Sequence, residues 1–299
     1  MHMGAKVKRK GISVFLSRGA GFCIFSLIYL LAAAFGVLIY QALPYDMLTS
    51  LLVADAITTA LVFIFSLLLS NASVYDPYWS VQPIVILLGF ALGTRVELTA
   101  DKLLLLIAVL IWGVRLTANW AYTFYGIEHE DWRYRMLREK CGRAYPIINF
   151  IGIHMVPTLV VFFVTLPAVY VIENDEAPKS ALYVLFFVLA VASVLLQGIA
   201  DVQMHRYRKN RQTPFIRVGL WRYSRHPNYL GEILMWWSVA FYSVAVLGFE
   251  WHSLIGAAMN TLLFLFVSIP MADKRQARKP GFDEYKRETR ILLPIKRFK

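Results

Sequence analysis

Apolar runs of about 20 residues recur along this chain, as in "YVLFFVLAVASVLLQGIA" from Tyr183 to Ala200. A helix of that length spans the ~30 Å hydrocarbon layer of a bilayer. Composition agrees: 58% of the residues are hydrophobic and 17% are charged, where a soluble domain is normally about one quarter charged. The runs predict an all-α fold, a polytopic integral membrane bundle of about seven to eight transmembrane helices. The segments read as 22–43, 48–70, 81–93, 103–124, 150–171, 181–203, 230–247 and 253–270. The third is short and fits a tilted or re-entrant segment. The last two also fit a broken hairpin.

Charge sets the expected orientation. Of the 31 Lys and Arg, all but Arg95, Lys102, Arg115 and Lys179 fall before residue 22, within 125–149, within 204–228 or after 270. Basic residues concentrate on the cytosolic side of a membrane protein. Both termini and the two long loops are therefore expected in the cytosol, at the plasma membrane of a bacterium or the endoplasmic reticulum of a eukaryote. The loop "ENDEAP" (Glu173 to Pro178), on the other side, is acidic. This topology accounts for the net charge of +12 without a nucleic-acid partner.

"KVKRK" (Lys6 to Lys10) reads as a topology anchor within a basic segment, 1–21, ahead of a single membrane domain, 22–299. The first apolar run is too long for a cleavable signal peptide. Cys23 and Cys141 lie far apart on or near the cytosolic side, and no disulfide is expected.

Ionisable groups inside membrane segments are costly and point to function. Four carry the most weight here: Asp55, Arg115, Asp201 and Glu232. Asp55 reads most simply as an interfacial or helix-packing acid. Gln197, Asp201, His205 and Arg208 follow one another at spacings of four, four and three, so they line one helical face. Asn228, Glu232 and Trp236 share a face in the same way, on a helix that Pro227 or Asn228 would start. Glu232 near that start also reads as a helix-capping acid. Two such stripes facing each other would suit an amide- or adenine-bearing ligand, with arginines for its phosphates. The six histidines show no HxxxH pattern and the cysteines no CxxC, so no metal is expected. There is no G-x-G-x-x-G, P-loop or G-x-S-x-G motif.

"GLWRYSRHPNYLGE" (Gly219 to Glu232) resembles the signature of the steroid 5-alpha-reductase-like family, in its bacterial-type DUF1295 branch. "DPYWSVQP" (Asp76 to Pro83), "WGVRLTANW" (Trp112 to Trp120), "EDWRY" (Glu130 to Tyr134) and "FDEYKRETRILLP" (Phe282 to Pro294) are similar to that branch too. Delta-14 sterol reductases carry a related signature. The Arg-His-Pro-x-Tyr core also occurs in isoprenylcysteine carboxyl methyltransferases. The resemblance implies a helical bundle that embeds NADPH and takes a lipid or steroid-like substrate from the membrane. Carried over, it implies cofactor contacts from Asn228 and Glu232, with Tyr223, Arg225, His226, Tyr229 and Trp236 beside them. Gln197, Asp201 and Arg208 would form a second stripe, Arg115 would lie beside the nicotinamide or phosphates, and Lys274, Arg275 and Arg278 would meet phosphates.

This chain departs from the steroid enzymes at their Gln-Glu pair, where Asp76 and Pro77 stand, and Trp112 sits where their tyrosine would be. The expected acid is Asp76 with Tyr78 in support, or Tyr122. The implied reaction is hydride transfer to a polarised carbon–carbon double bond, completed by a proton from a side-chain donor. Two other readings compete: an S-adenosylmethionine-dependent membrane methyltransferase, and a non-catalytic sterol- or lipid-binding membrane protein. The methyltransferases usually carry paired glutamates where this chain has the basic "ADKRQARK" (Ala272 to Lys279).

Overall fold

The computed structural model describes residues 17–93 and 97–293. The expected anchor Lys6–Lys10, with Arg95 and Pro294, lies outside the described residues. In chain order the helices are α1 (Arg18–Ala42), α2 (Met47–Leu68), α3 (Tyr78–Gly93), α4 (Ala100–Thr123), α5 (Trp132–Cys141), α6 (Tyr145–Ile148), α7 (Val156–Glu173), α8 (Tyr183–Lys209), α9 (Pro227–Leu247), α10 (Ile255–Leu263), α11 (Ile269–Gln276) and α12 (Phe282–Glu288). π-helical stretches, Asn149–Met155 and Phe264–Ser268, join α6 to α7 and α10 to α11. No strand forms among the described residues.

Among the described residues, seven helical runs are long and apolar enough to cross a membrane: α1, α2, α4, Trp132–Glu173, α8, α9 and Trp251–Gln276. The expected all-α membrane fold is therefore what the structure shows. The short third segment is α3, whose 16 residues reach ~24 Å at 1.5 Å per residue, less than the hydrocarbon thickness. The expectation of both termini on one face turns on this helix. The segment expected at 150–171 is the later part of a longer run, because the π turn carries the helix through Asn149–Met155 unbroken. α8 continues past its expected end at 203, and Arg206, Arg208 and Lys209 occupy its last turn, where the helix dipole favours cations.

Local chemistry fixes several helix starts. The Ser17 hydroxyl accepts from Ala20 N at 3.2 Å ahead of α1, and the Asp46 carboxylate accepts from Thr49 N at 3.1 Å ahead of α2. Those caps satisfy backbone donors that have no partner within the helix. Pro227 occupies the first turn of α9, where its missing N–H is no loss.

The chain divides into two compact units, residues 1–82 with 120–159, and 83–119 with 160–299. In the first, Phe25, Ile28 and Ala32 of α1 pack with Val62, Val74, Tyr75, Tyr78 and Phe124. Gly21 seats the Phe124 ring, which would lie 3.1 Å from an added Cβ. In the second, α8 and α9 form the closest-packed pair. An added Cβ at Gly231 of α9 would lie 2.7 Å from Ser193 O of α8, so only glycine allows this approach. Gly256 of α10 lies against the backbone of Phe163 and Val164 in α7, which an added methyl would strike.

Backbone cannot yield as a side chain can. Gly256→Ala is expected to lower thermal stability in detergent by ~1–3 kcal/mol through overpacking. Gly89→Ala in α3, with nothing within 4 Å of its added Cβ, is expected to be neutral or to stabilise by up to ~1 kcal/mol. Equal melting temperatures for the two variants would contradict this packing.

Candidate functional site

The second unit holds a polar ladder on helices that cross the membrane. On α4, Trp112, Arg115 and Asn119 are spaced by three and four residues and share a face. Arg115 Nη1 donates to Asp201 Oδ2 at 2.8 Å, and Arg115 Nη2 donates to Gln197 Oε1. One turn along, the His205 Nε2 and Asn119 Oδ1 atoms are 2.7 Å apart. One turn the other way, Trp112 Nε1 donates to Glu232 Oε2 at 2.9 Å. Trp236 Nε1 donates to the second oxygen, Oε1, also at 2.9 Å. The two indoles meet edge to face at 4.7 Å. Glu232 thus spends both oxygens on indoles, which removes the capping alternative: its carboxylate bonds no backbone N–H of the first turn.

Three polar atoms in this region are buried without a partner: Arg115 Nε, Gln197 Nε2 and Asn228 Oδ1. The Arg115–Asp201 pair keeps partial access, with side chains 18% and 16% exposed. Two unmet donors and an unmet acceptor beside a partly open ion pair form a surface that can recognise an amide or a heteroaromatic base.

The remaining expected cofactor residues divide by burial. Arg225 and His226 are buried. Arg225 donates to Asp273 Oδ2 at 3.1 Å and to the carbonyls of Lys286 and Thr289. His226 Nε2 lies 3.0 Å from Asp273 Oδ1, and its ring stacks on Tyr229 at 5.1 Å. Their backbone N–H groups donate to Arg290 O and Ile291 O. These two residues therefore knit the C-terminal segment to the start of α9. Arg208, Tyr223, Lys274, Arg275 and Arg278 are exposed.

Asp76, Tyr78 and Tyr122 belong to the first unit. Tyr78 and Asp76 have separate hydrogen-bond partners: the Tyr78 hydroxyl donates to Asp55 Oδ1 at 3.0 Å. Gln82 Nε2 donates to the other Asp55 oxygen. Asp76 accepts from Tyr134 Oη at 2.6 Å, and the Arg133 guanidinium lies 3.6 Å away. Tyr122 is 64% exposed. Asp55, read from sequence as an interfacial or helix-packing acid, is buried within α2 beside a tyrosine and a glutamine. Trp112 is the other residue that gains a role. Its position three before Arg115 was the available signal, since that spacing places both on one face.

Asp76 lies between the spanning helices. Burial pushes its carboxyl up from 3.8 to about 6 against the pull of Arg133, with Asp131 adding to the rise and Tyr134 opposing it. The folded value exceeds the unfolded one, so the stability Asp76 contributes is full below pH ~3.8 and is lost as pH rises through ~6. The wild-type protein is expected to lose ~1–3 kcal/mol between pH ~4 and ~7 that Asp76→Asn does not lose. Thermal unfolding across that range checks it, and superimposable profiles would refute it.

No solved structure matches this chain. An uncharacterized protein of Schizosaccharomyces pombe (strain 972 / ATCC 24843) is 27% identical over 222 residues, covering 62% of this chain and 63% of that protein. The chain thus spans less than two thirds of that relative's length. The family described as "Protein of unknown function (DUF1295)" matches residues 62–289. That stretch takes in part of each unit and every expected site residue, and the chain belongs to the DUF1295 family.

Proposed function

We propose that the protein is a membrane-embedded, NADPH-dependent reductase of a carbon–carbon double bond in a lipid or steroid-like enone. The observation that carries this reading is the ladder of α4, α8 and α9. An ion pair, two indole-held carboxylate oxygens and three unmet polar atoms lie on helices long and apolar enough to span a membrane. Packing alone gives no return for that cost.

NADPH fits the residues present. The unmet Gln197 Nε2 and Arg115 Nε donors and the Asn228 Oδ1 acceptor match the carboxamide and adenine groups of a nicotinamide dinucleotide. Arg208, Lys274, Arg275 and Arg278 would meet its phosphates. Charge supports phosphate over a sulfonium: burial, then the charges of Arg211, Arg275 and Arg208, pushes the Lys279 amine down. A crowd of cations attracts a polyanion and repels S-adenosylmethionine. When bound, the nicotinamide supplies the hydride. Trp112 and Trp236 hold Glu232 in one orientation, and Asp201 and Gln197 fix the Arg115 fork. The hydrogen-bonded Tyr78–Asp55 pair is the proton donor in this reading. Asp76 is set aside because its carboxylate is engaged by Tyr134 and Arg133.

Titration of the detergent-purified protein with each ligand, followed by thermal stability, tests the assignment. NADPH at about 100 times its Kd is expected to add ~2.7 kcal/mol, and S-adenosylmethionine nothing. Stabilisation by S-adenosylmethionine alone would overturn the reductase reading.

Asp201→Ala and Glu232→Ala are each expected to weaken NADPH binding by ~1–3 kcal/mol, the size of a buried hydrogen-bonded group. Helix content and membrane insertion should persist in both. Unchanged affinity in both variants would remove the ladder from the cofactor site.

A further inference from the structure

The first unit carries a chain of hydroxyl contacts that the cofactor reading does not use. Tyr78 Oη donates to Asp55 Oδ1 at 3.0 Å. Thr59 Oγ1 lies 3.4 Å from that phenol oxygen, Thr158 Oγ1 lies 3.0 Å from Thr59 Oγ1, and Tyr75 Oη lies 2.8 Å from Thr158 Oγ1. All five side chains are buried. Val and Phe would fill the same volumes in this apolar surrounding, and a buried hydroxyl costs free energy unless it is bonded.

Proton counting gives the chain a direction. Each hydroxyl has one proton to give. Tyr78 gives its own to the carboxylate, so Thr59 must donate to Tyr78. Thr158 must then donate to Thr59, and Tyr75 to Thr158. Every proton points toward Asp55. A hydroxyl that accepts one bond donates the next more strongly, by roughly 10–30% per bond.

We propose that Thr59, Thr158 and Tyr75 are positioning residues that aim the Tyr78 proton at Asp55 and thereby set the acid strength of the pair. The role rests on the Tyr78–Asp55 pair as proton donor in the proposed reaction, but the chain itself needs no cofactor. The groups around it are Gln82 from α3, His154, whose ring lies 4.7 Å from Tyr75, and Tyr29 from α1, whose ring lies 6.2 Å from Tyr78. Asp76 adjoins Tyr75 in sequence. Among the described residues Asp55 forms no ion pair. Its charge is therefore governed by neutral hydrogen-bond donors, which makes it sensitive to how they are oriented.

Infrared titration of the full chain in phosphatidylcholine nanodiscs, without nucleotide, tests this. The Asp55 carbonyl stretch is the band that Asp55→Asn abolishes, followed from pH ~4 to ~10. Thr158 bonds neither Asp55 nor Tyr78, yet Thr158→Val is expected to make Asp55 a weaker acid by about two- to fourfold. Thr158→Ser should restore the wild-type midpoint. Tyr75→Phe, which keeps the ring, should shift the midpoint in the same direction and serves if Thr158→Val does not fold. An unmoved midpoint in folded Thr158→Val or Tyr75→Phe, equal shifts for Val and Ser, or a band that does not titrate would each overturn the proposal. Failure of NADPH to bind would count against the reductase reading and leave this result unaffected.

Discussion

An ion pair inside a bilayer-spanning helix set is the interaction on which the second unit is organised. Arg115 and Asp201 meet at 2.8 Å, and neither charge could be held in hydrocarbon alone. Once they meet, α4 and α8 are fixed side by side in the same direction. The next turns then bring Asn119 to His205, and Trp112 to the Glu232 of α9. Removing one member would leave the other as an isolated buried charge, which is why the remaining polar groups are arranged around the pair.

The first unit meets the same constraint differently. Asp55 has no cation, and its oxygens are occupied by a phenol and an amide. Asp201 of the second unit and Asp55 of the first are thus two kinds of acid within spanning helices. One is balanced by a guanidinium and partly open to ligand. The other is closed, neutral in its partners and linked to a chain of hydroxyls. Binding of a charged molecule suits the first kind, and handling of a proton suits the second.

Much of this was legible in the sequence. Apolar run length gives the spanning helices because the bilayer sets their length, and four-residue spacing gives the Gln197–Asp201–His205 stripe because helical periodicity is rigid. Pro227 marks the start of α9 for the same local reason. Contacts between helices distant in sequence were not legible. Tyr78 lies two residues after Asp76 along the chain, yet its hydroxyl bonds Asp55, on another helix. Closeness in sequence says little about which way a side chain points at a helix start. Arg225 and His226 look like ligand groups in the motif, but Asp273, far along the chain, accepts from both.

The bare Cα of Gly231 has a mechanical meaning. Because α9 can approach the Ser193 carbonyl of α8 only where a side chain is missing, the two helices are keyed like a notch and a tooth. A screw shift of α9 by one residue, ~1.5 Å along the axis with a turn of ~100°, would bring Leu230 or Glu232 to the notch, and neither fits. The vertical alignment of Glu232 with Gln197 is therefore set by an absent methyl group. Polar side chains, whose bonds tolerate some stretch, inherit their register from an apolar contact that tolerates none.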